Sequence, residues 1–96
     1  MSRAALREEL QRRIAELGSR IAQDEEKLLR GDRADKVQAA GEIAALRGRQ
    51  KELQQRLKDL AQNREPEGGW EKFRTAIEED LLDLDVAVQR WARKYY

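Results

Sequence analysis

Apolar residues recur along the first third of the chain at Leu6, Leu10, Ile14, Leu17, Ile21 and Leu28, separated mostly by Arg, Glu and Gln. Alternating steps of four and three mark a coiled-coil seam, in which the a and d side chains of each heptad face a partner helix. Ile14, Ile21 and Leu28 take a positions, Leu10 and Leu17 take d, and Asp24 interrupts the next d. Ser2 suits the N-cap of this helix, which the pattern extends over about residues 3–29.

Arg30-Gly31-Asp32-Arg33 then breaks the pattern. Gly31 suits a left-handed C-terminal cap, Asp32 the next N-cap, and Asp35 a first turn where the helix dipole favours an anion. The tripeptide Arg30-Gly31-Asp32 also matches a cell-adhesion motif, but turn chemistry accounts for all three residues. A second heptad stretch follows, over about residues 34–62. Lys36, Ile43, Gln50 and Leu57 fall at a, and Ala39, Leu46, Leu53 and Leu60 at d. So short a break between two amphipathic helices predicts an antiparallel hairpin over residues 1–63. Asp24, Lys36 and Gln50 are polar at core-like positions, where such residues specify register or oligomer number. Gly41 and Gly48 sit a heptad apart at f positions, away from the seam. Either another helix approaches closely there, or they are surface glycines, each carried at about 1 kcal/mol relative to Ala. The second reading is preferred.

Residues 64–69, Arg-Glu-Pro-Glu-Gly-Gly, hold the single Pro and form the clearest linker. Beyond it the pattern changes. Trp70, Phe73, Ile77, Leu81, Leu84, Val88, Trp91 and Tyr95 follow one face of an ordinary helix within residues 70–96. Both Trp, both Tyr and the single Phe lie in this last third. This stripe is the candidate interaction surface. Three helices of matched length, each roughly 40 Å at 1.5 Å per residue, predict an all-α, three-helix coiled-coil bundle that self-associates, the third helix either folding back on its own hairpin or packing where hairpins pair across a two-fold axis.

Composition agrees with long helices. Charged residues make up 41% of the 96-residue chain, against about 25% in average domains. The net charge is +1, which points neither to nucleic acid nor to anionic lipid. The basic stretch Arg47, Arg49, Lys51, Arg56, Lys58 and Arg64 is interleaved with acids and lacks aromatic stacking platforms, so no nucleic-acid partner is expected. The chain contains neither Cys nor His, which removes the usual metal sites and the Cys-His and Ser-His nucleophiles. The acidic run Glu78, Glu79, Asp80, Asp83 and Asp85 lacks EF-hand spacing and reads as a solvated face meeting basic residues of the second helix. No catalytic residue, cofactor or metal is expected, and the chain is read as a non-enzyme. Met1 to Ala5 lead straight into charged residues without an apolar leader, and no apolar run spans a membrane, so the cytoplasm is the expected compartment.

Several elements together resemble a family of small bacterial coiled-coil proteins described as stress-response proteins. They are Ile43-Ala44-Ala45-Leu46-Arg47, the Leu53 to Leu60 heptads, Gly68-Gly69-Trp70, Ile77-Glu78 and Leu81. The Gly-Gly-Trp junction with Ile77-Glu78 is the specific part; the rest is repetitive helix. Gly41, Gly48, Trp91 and the Tyr95-Tyr96 end depart from the family pattern. The resemblance implies a stress-linked role and no defined chemistry. The reading is therefore a structural or interaction protein acting through helix–helix association, with itself or with a partner helix. The alternative is reversible binding of the third helix to a membrane surface, for which its polar face is unsuitably acidic.

Overall fold

A computed structural model of the chain describes residues 3–62 and 69–96, without the side chains of 61 and 62. It contains α1 (Arg3–Arg30), α2 (Lys36–Gln62) and α3 (Trp70–Tyr95). The proposed Ser2 cap and all of the 64–69 linker except Gly69 lie outside the described residues. The three helices pack side by side in a rod measuring 51 × 21 × 17 Å. Contacting partners climb one helix as they descend the other between α1 and α2 (Ile14 with Gln50, Glu25 with Arg47). The same holds between α2 and α3 (Arg56 with Asp80, Ala39 with Trp91). The arrangement is an up-down-up bundle.

The heptad seams form the core. Leu10, Ile14, Leu17, Ile21 and Leu28 of α1 are buried, as are Ala39, Ile43, Leu46, Leu53, Leu57 and Leu60 of α2. All but Leu60 join one contiguous cluster with α3. The interruptions behave individually. Asp24 stays half-buried. Desolvation pushes its carboxyl above the ordinary range, while Lys27 and Arg20 pull it down. Gln50, 5% exposed, is the one buried polar side chain among the described residues. Its Nε2 donates to the Ile14 carbonyl at 3.1 Å. Gly18 makes this reach possible, because a Cβ there would sit 2.6 Å from Gln50 Nε2.

The turn between α1 and α2 differs from expectation in three ways. Gly31 is not left-handed. Its N–H is instead shared between the carbonyls of Lys27 and Leu28, at 3.1 and 3.2 Å, so the last turn tightens rather than reversing. Lys36 does not enter the seam as an a residue. Its ammonium donates to the carbonyls of Leu29 and Gly31, at 3.0 and 3.2 Å, and so caps the C-terminus of α1 from the next helix. Asp35, not Asp32, occupies the cap position of α2. Its carbonyl accepts the first helical bond from Ala39, and Arg33 grips its carboxylate at 2.8 Å. Around Gly41 and Gly48 there is nothing within 4 Å of a would-be Cβ, so no helix of this chain approaches them.

Candidate interaction surface

The aromatic stripe of α3 forms the third wall of the core. Trp70, Ile77, Leu81, Leu84, Val88, Trp91 and Tyr95 are buried, and Phe73 is half-buried against the same cluster. Trp91 donates its indole N–H to the Ala39 carbonyl at 3.0 Å, satisfying a polar atom that its burial would otherwise strand. At the other end Trp70 stacks on Phe73, with ring centroids 6.2 Å apart. In this fold the stripe faces the hairpin of its own chain. It offers a partner nothing unless α3 undocks.

A clasp fastens the C-terminal end of α3. The Tyr95 hydroxyl donates to Glu42 at 2.7 Å, and Lys94 donates to the same carboxylate at 3.0 Å. These two bonds hold Glu42 below the usual glutamate range. Burial, reinforced by Glu42, pushes the Tyr95 hydroxyl up, while Glu42 and Tyr95 raise the Lys94 ammonium. Arg33, from the α1–α2 turn, lies over the rings of Tyr95 and Tyr96 at 5.3 and 5.5 Å. The turn and the C-terminus therefore hold one another.

The acidic run of α3 splits by direction. Asp80 accepts from Arg56 of α2 at 2.5 Å, and Asp85 accepts from Arg20 of α1 at 2.7 Å. Glu78 lies 3.6 Å from Arg74 on its own helix. The expectation of contact with basic residues of α2 thus holds for Asp80, while α1 takes Asp85. Glu79 and Asp83 point outward and make no ion pair with any described residue; Arg90 and Arg93 at the far end of the same face are equally unpaired. Among the described residues no group of three acidic side chains is placed to hold a metal ion.

Two large apolar side chains lie between these outward charges. Leu82 is 60% exposed and Val86 37%. They line a groove of about 700 Å³ between α2 and α3, floored also by Leu46 and Trp91 and edged by Arg49 and Arg90. Leu82 also borders a smaller groove of about 200 Å³ against α1. Arg49 makes no ion pair with a described residue either. This surface is distinct from the stripe that periodicity singled out. Its signal is a second heptad row on α3, Thr75, Glu79, Leu82, Val86, Gln89 and Arg93, with steps of 4, 3, 4, 3 and 4. With two apolar members, that row is hidden beside the aromatic one. No helix among the described residues is long and apolar enough to cross a membrane. No family model, curated protein or solved structure matches the chain.

Proposed function

We propose that this chain is a non-enzymatic interaction protein that works by docking a helix against the outer face of α3. The observation that carries the reading is the exposed pair Leu82 and Val86, set in a groove whose flanking Arg49, Arg90 and Asp83 make no ion pair with a described residue. Apolar anchors one helical turn apart, edged by charges of both signs, suit an amphipathic helix with charged flanks of complementary order. The heptad seams and the aromatic stripe are spent on the chain's own core, and the other exposed large apolar side chains, Leu29, Val37 and Tyr96, lie at the α1–α2 turn and the end of α3, so this face offers the exposed apolar pair at helical spacing. A cytoplasmic setting and a stress-linked role belong to the same proposal; they rest on the sequence reading and on the family resemblance.

The test is site-specific photo-crosslinking in living cells, with the reactive residue placed at Leu82 or, as a control, at exposed Gln23 on α1. Protein adducts from position 82 that are missing from position 23 are expected. Equal adducts from both positions, or none from either, would defeat the reading.

A further inference from the structure

We propose that the helix docked on this face is α3 of a second copy, lying antiparallel across a two-fold axis at Val86. This rests on the docking reading above and names its partner.

Charges are ordered along this face of α3. Glu79 lies seven residues before Val86 and Arg93 seven after it. Asp83 lies three before, and Arg90 four after. All four are exposed, and none is paired within the described chain. A helix face that is acidic before its midpoint and basic after it is complementary to itself when turned end for end. An isologous two-fold contact uses that property, since every pairing occurs twice. With Val86 on the axis, Glu79 of each copy faces Arg93 of the other, and Asp83 faces Arg90. Leu82 then packs against the aliphatic stem of Arg90 and the Gln89 side chain across the interface. A heptad row is the right periodicity for two helices in side-by-side contact.

The in-chain pairing of the other acids sharpens the point. Asp80 and Asp85, which border the inward face, are taken by Arg56 and Arg20. Glu79, Asp83, Arg90 and Arg93, which flank the exposed Leu82 and Val86, keep no ion-pair partner among the described residues. A parallel arrangement would instead set Glu79 against Glu79 and Arg93 against Arg93, which like-charge repulsion opposes. One helix–helix contact falls at the small end of protein interfaces, so the dimer is reversible, with a dissociation constant on the order of micromolar or weaker. Its ion pairs are exposed and therefore sensitive to salt.

The experiment uses sedimentation velocity on the full chain and two charge-reversed variants. One carries Glu79→Arg with Asp83→Arg, the other Arg90→Glu with Arg93→Glu. At about 200 µM and low salt, the wild type is expected to dimerise, and each variant alone to associate at least tenfold more weakly. An equimolar mixture of the two is expected to form a heterodimer, because each supplies the sign the other lost. Circular dichroism of each variant checks that it remains helical. A wild type that stays monomeric overturns the inference, as do variants that dimerise alone like wild type or a mixture that fails to pair. The crosslinking at Leu82 separates the two levels of argument. Adducts of other proteins with a monomeric wild type would overturn the second-copy assignment and leave the docking reading in place; a monomer without adducts removes both.

Discussion

Both faces of α3 carry Leu and Val at helical spacing, and they meet opposite fates. On the inward face every aromatic found the hairpin, the Trp91 indole N–H found a carbonyl, and Tyr95 found a carboxylate. On the outward face Leu82 is mostly exposed and Val86 partly so, between acids and bases that pair with nothing in the described chain. The difference teaches where to look for function in a small bundle. A residue whose polar and apolar demands are both met is holding the fold, and a row whose demands are unmet is available for something else.

The largest expected effect lies on the inward face. Trp91→Ala removes a buried indole and strands the Ala39 carbonyl's partner bond, and should cost about 3–5 kcal/mol. That is a large share of a small domain's total stability, so urea unfolding should show a much lower midpoint. Leu82→Lys, on the outward face, should change monomer stability by less than about 0.5 kcal/mol, since the side chain is already in water. A large loss from Leu82→Lys would break the comparison.

Next in size is the polar contact between α1 and α2. Gly18→Ala should destabilise by about 1 kcal/mol, because the new Cβ displaces the Gln50 amide from its buried bond. In a Gln50→Ala background the same change should stabilise by about 1 kcal/mol, as helix propensity then acts unopposed. A double-mutant cycle by chemical unfolding reads the reversal of sign. Gly41→Ala and Gly48→Ala face open space and should each stabilise by roughly 0.5–1 kcal/mol.

The smallest expected effects come from the clasp and depend on pH. The folded value of Tyr95 lies above its unfolded value near 10, so its contribution is whole below that pH and is lost as pH rises through the folded value. The raised Lys94 acts in the same direction. The folded value of Glu42 lies below its unfolded value near 4.5, so its contribution is present above that pH and is lost as pH falls through the folded value. Thermal unfolding should therefore show lower midpoints toward both extremes. In the Tyr95→Phe variant the alkaline drop should shrink; an unchanged drop would mean that the clasp does not contribute to it.

What could be read in the sequence was set by periodicity. The seams of α1 and α2 and the aromatic face of α3 are runs of Leu, Ile and Trp at heptad or helical spacing, and burial follows that spacing except at Leu6 and Phe73, which are half-buried, and at the polar Asp24 and Lys36. Local chemistry at the turn was less legible. Gly31 and Asp32 were the obvious caps, but Lys36 reaches back to the carbonyls of α1 and Asp35 opens α2, a solution set by how the hairpin closes. Gly18 carried no pattern at all, since its role exists only once Gln50 lies across from it. The outward row was visible as spacing yet indistinct as hydrophobicity. Only the exposure of Leu82 and Val86 once three helices are in place, with acids before them and bases after, separates it from ordinary solvated surface.

The most direct test of this account uses the location of both Trp residues on α3, at positions 70 and 91. Tryptophan emission is recorded across a dilution series that carries the protein from dimer to monomer, followed in parallel by sedimentation, and then with anionic lipid vesicles. Blue-shifted emission that neither dilution nor vesicles moves is the expected result, because the stripe, Trp91 at the groove floor included, is already buried by its own hairpin and association uses the outward row. A red shift on dilution would put the stripe at an interface between chains, and water-like emission that turns blue with vesicles would make α3 a membrane-surface helix; either would contradict the account.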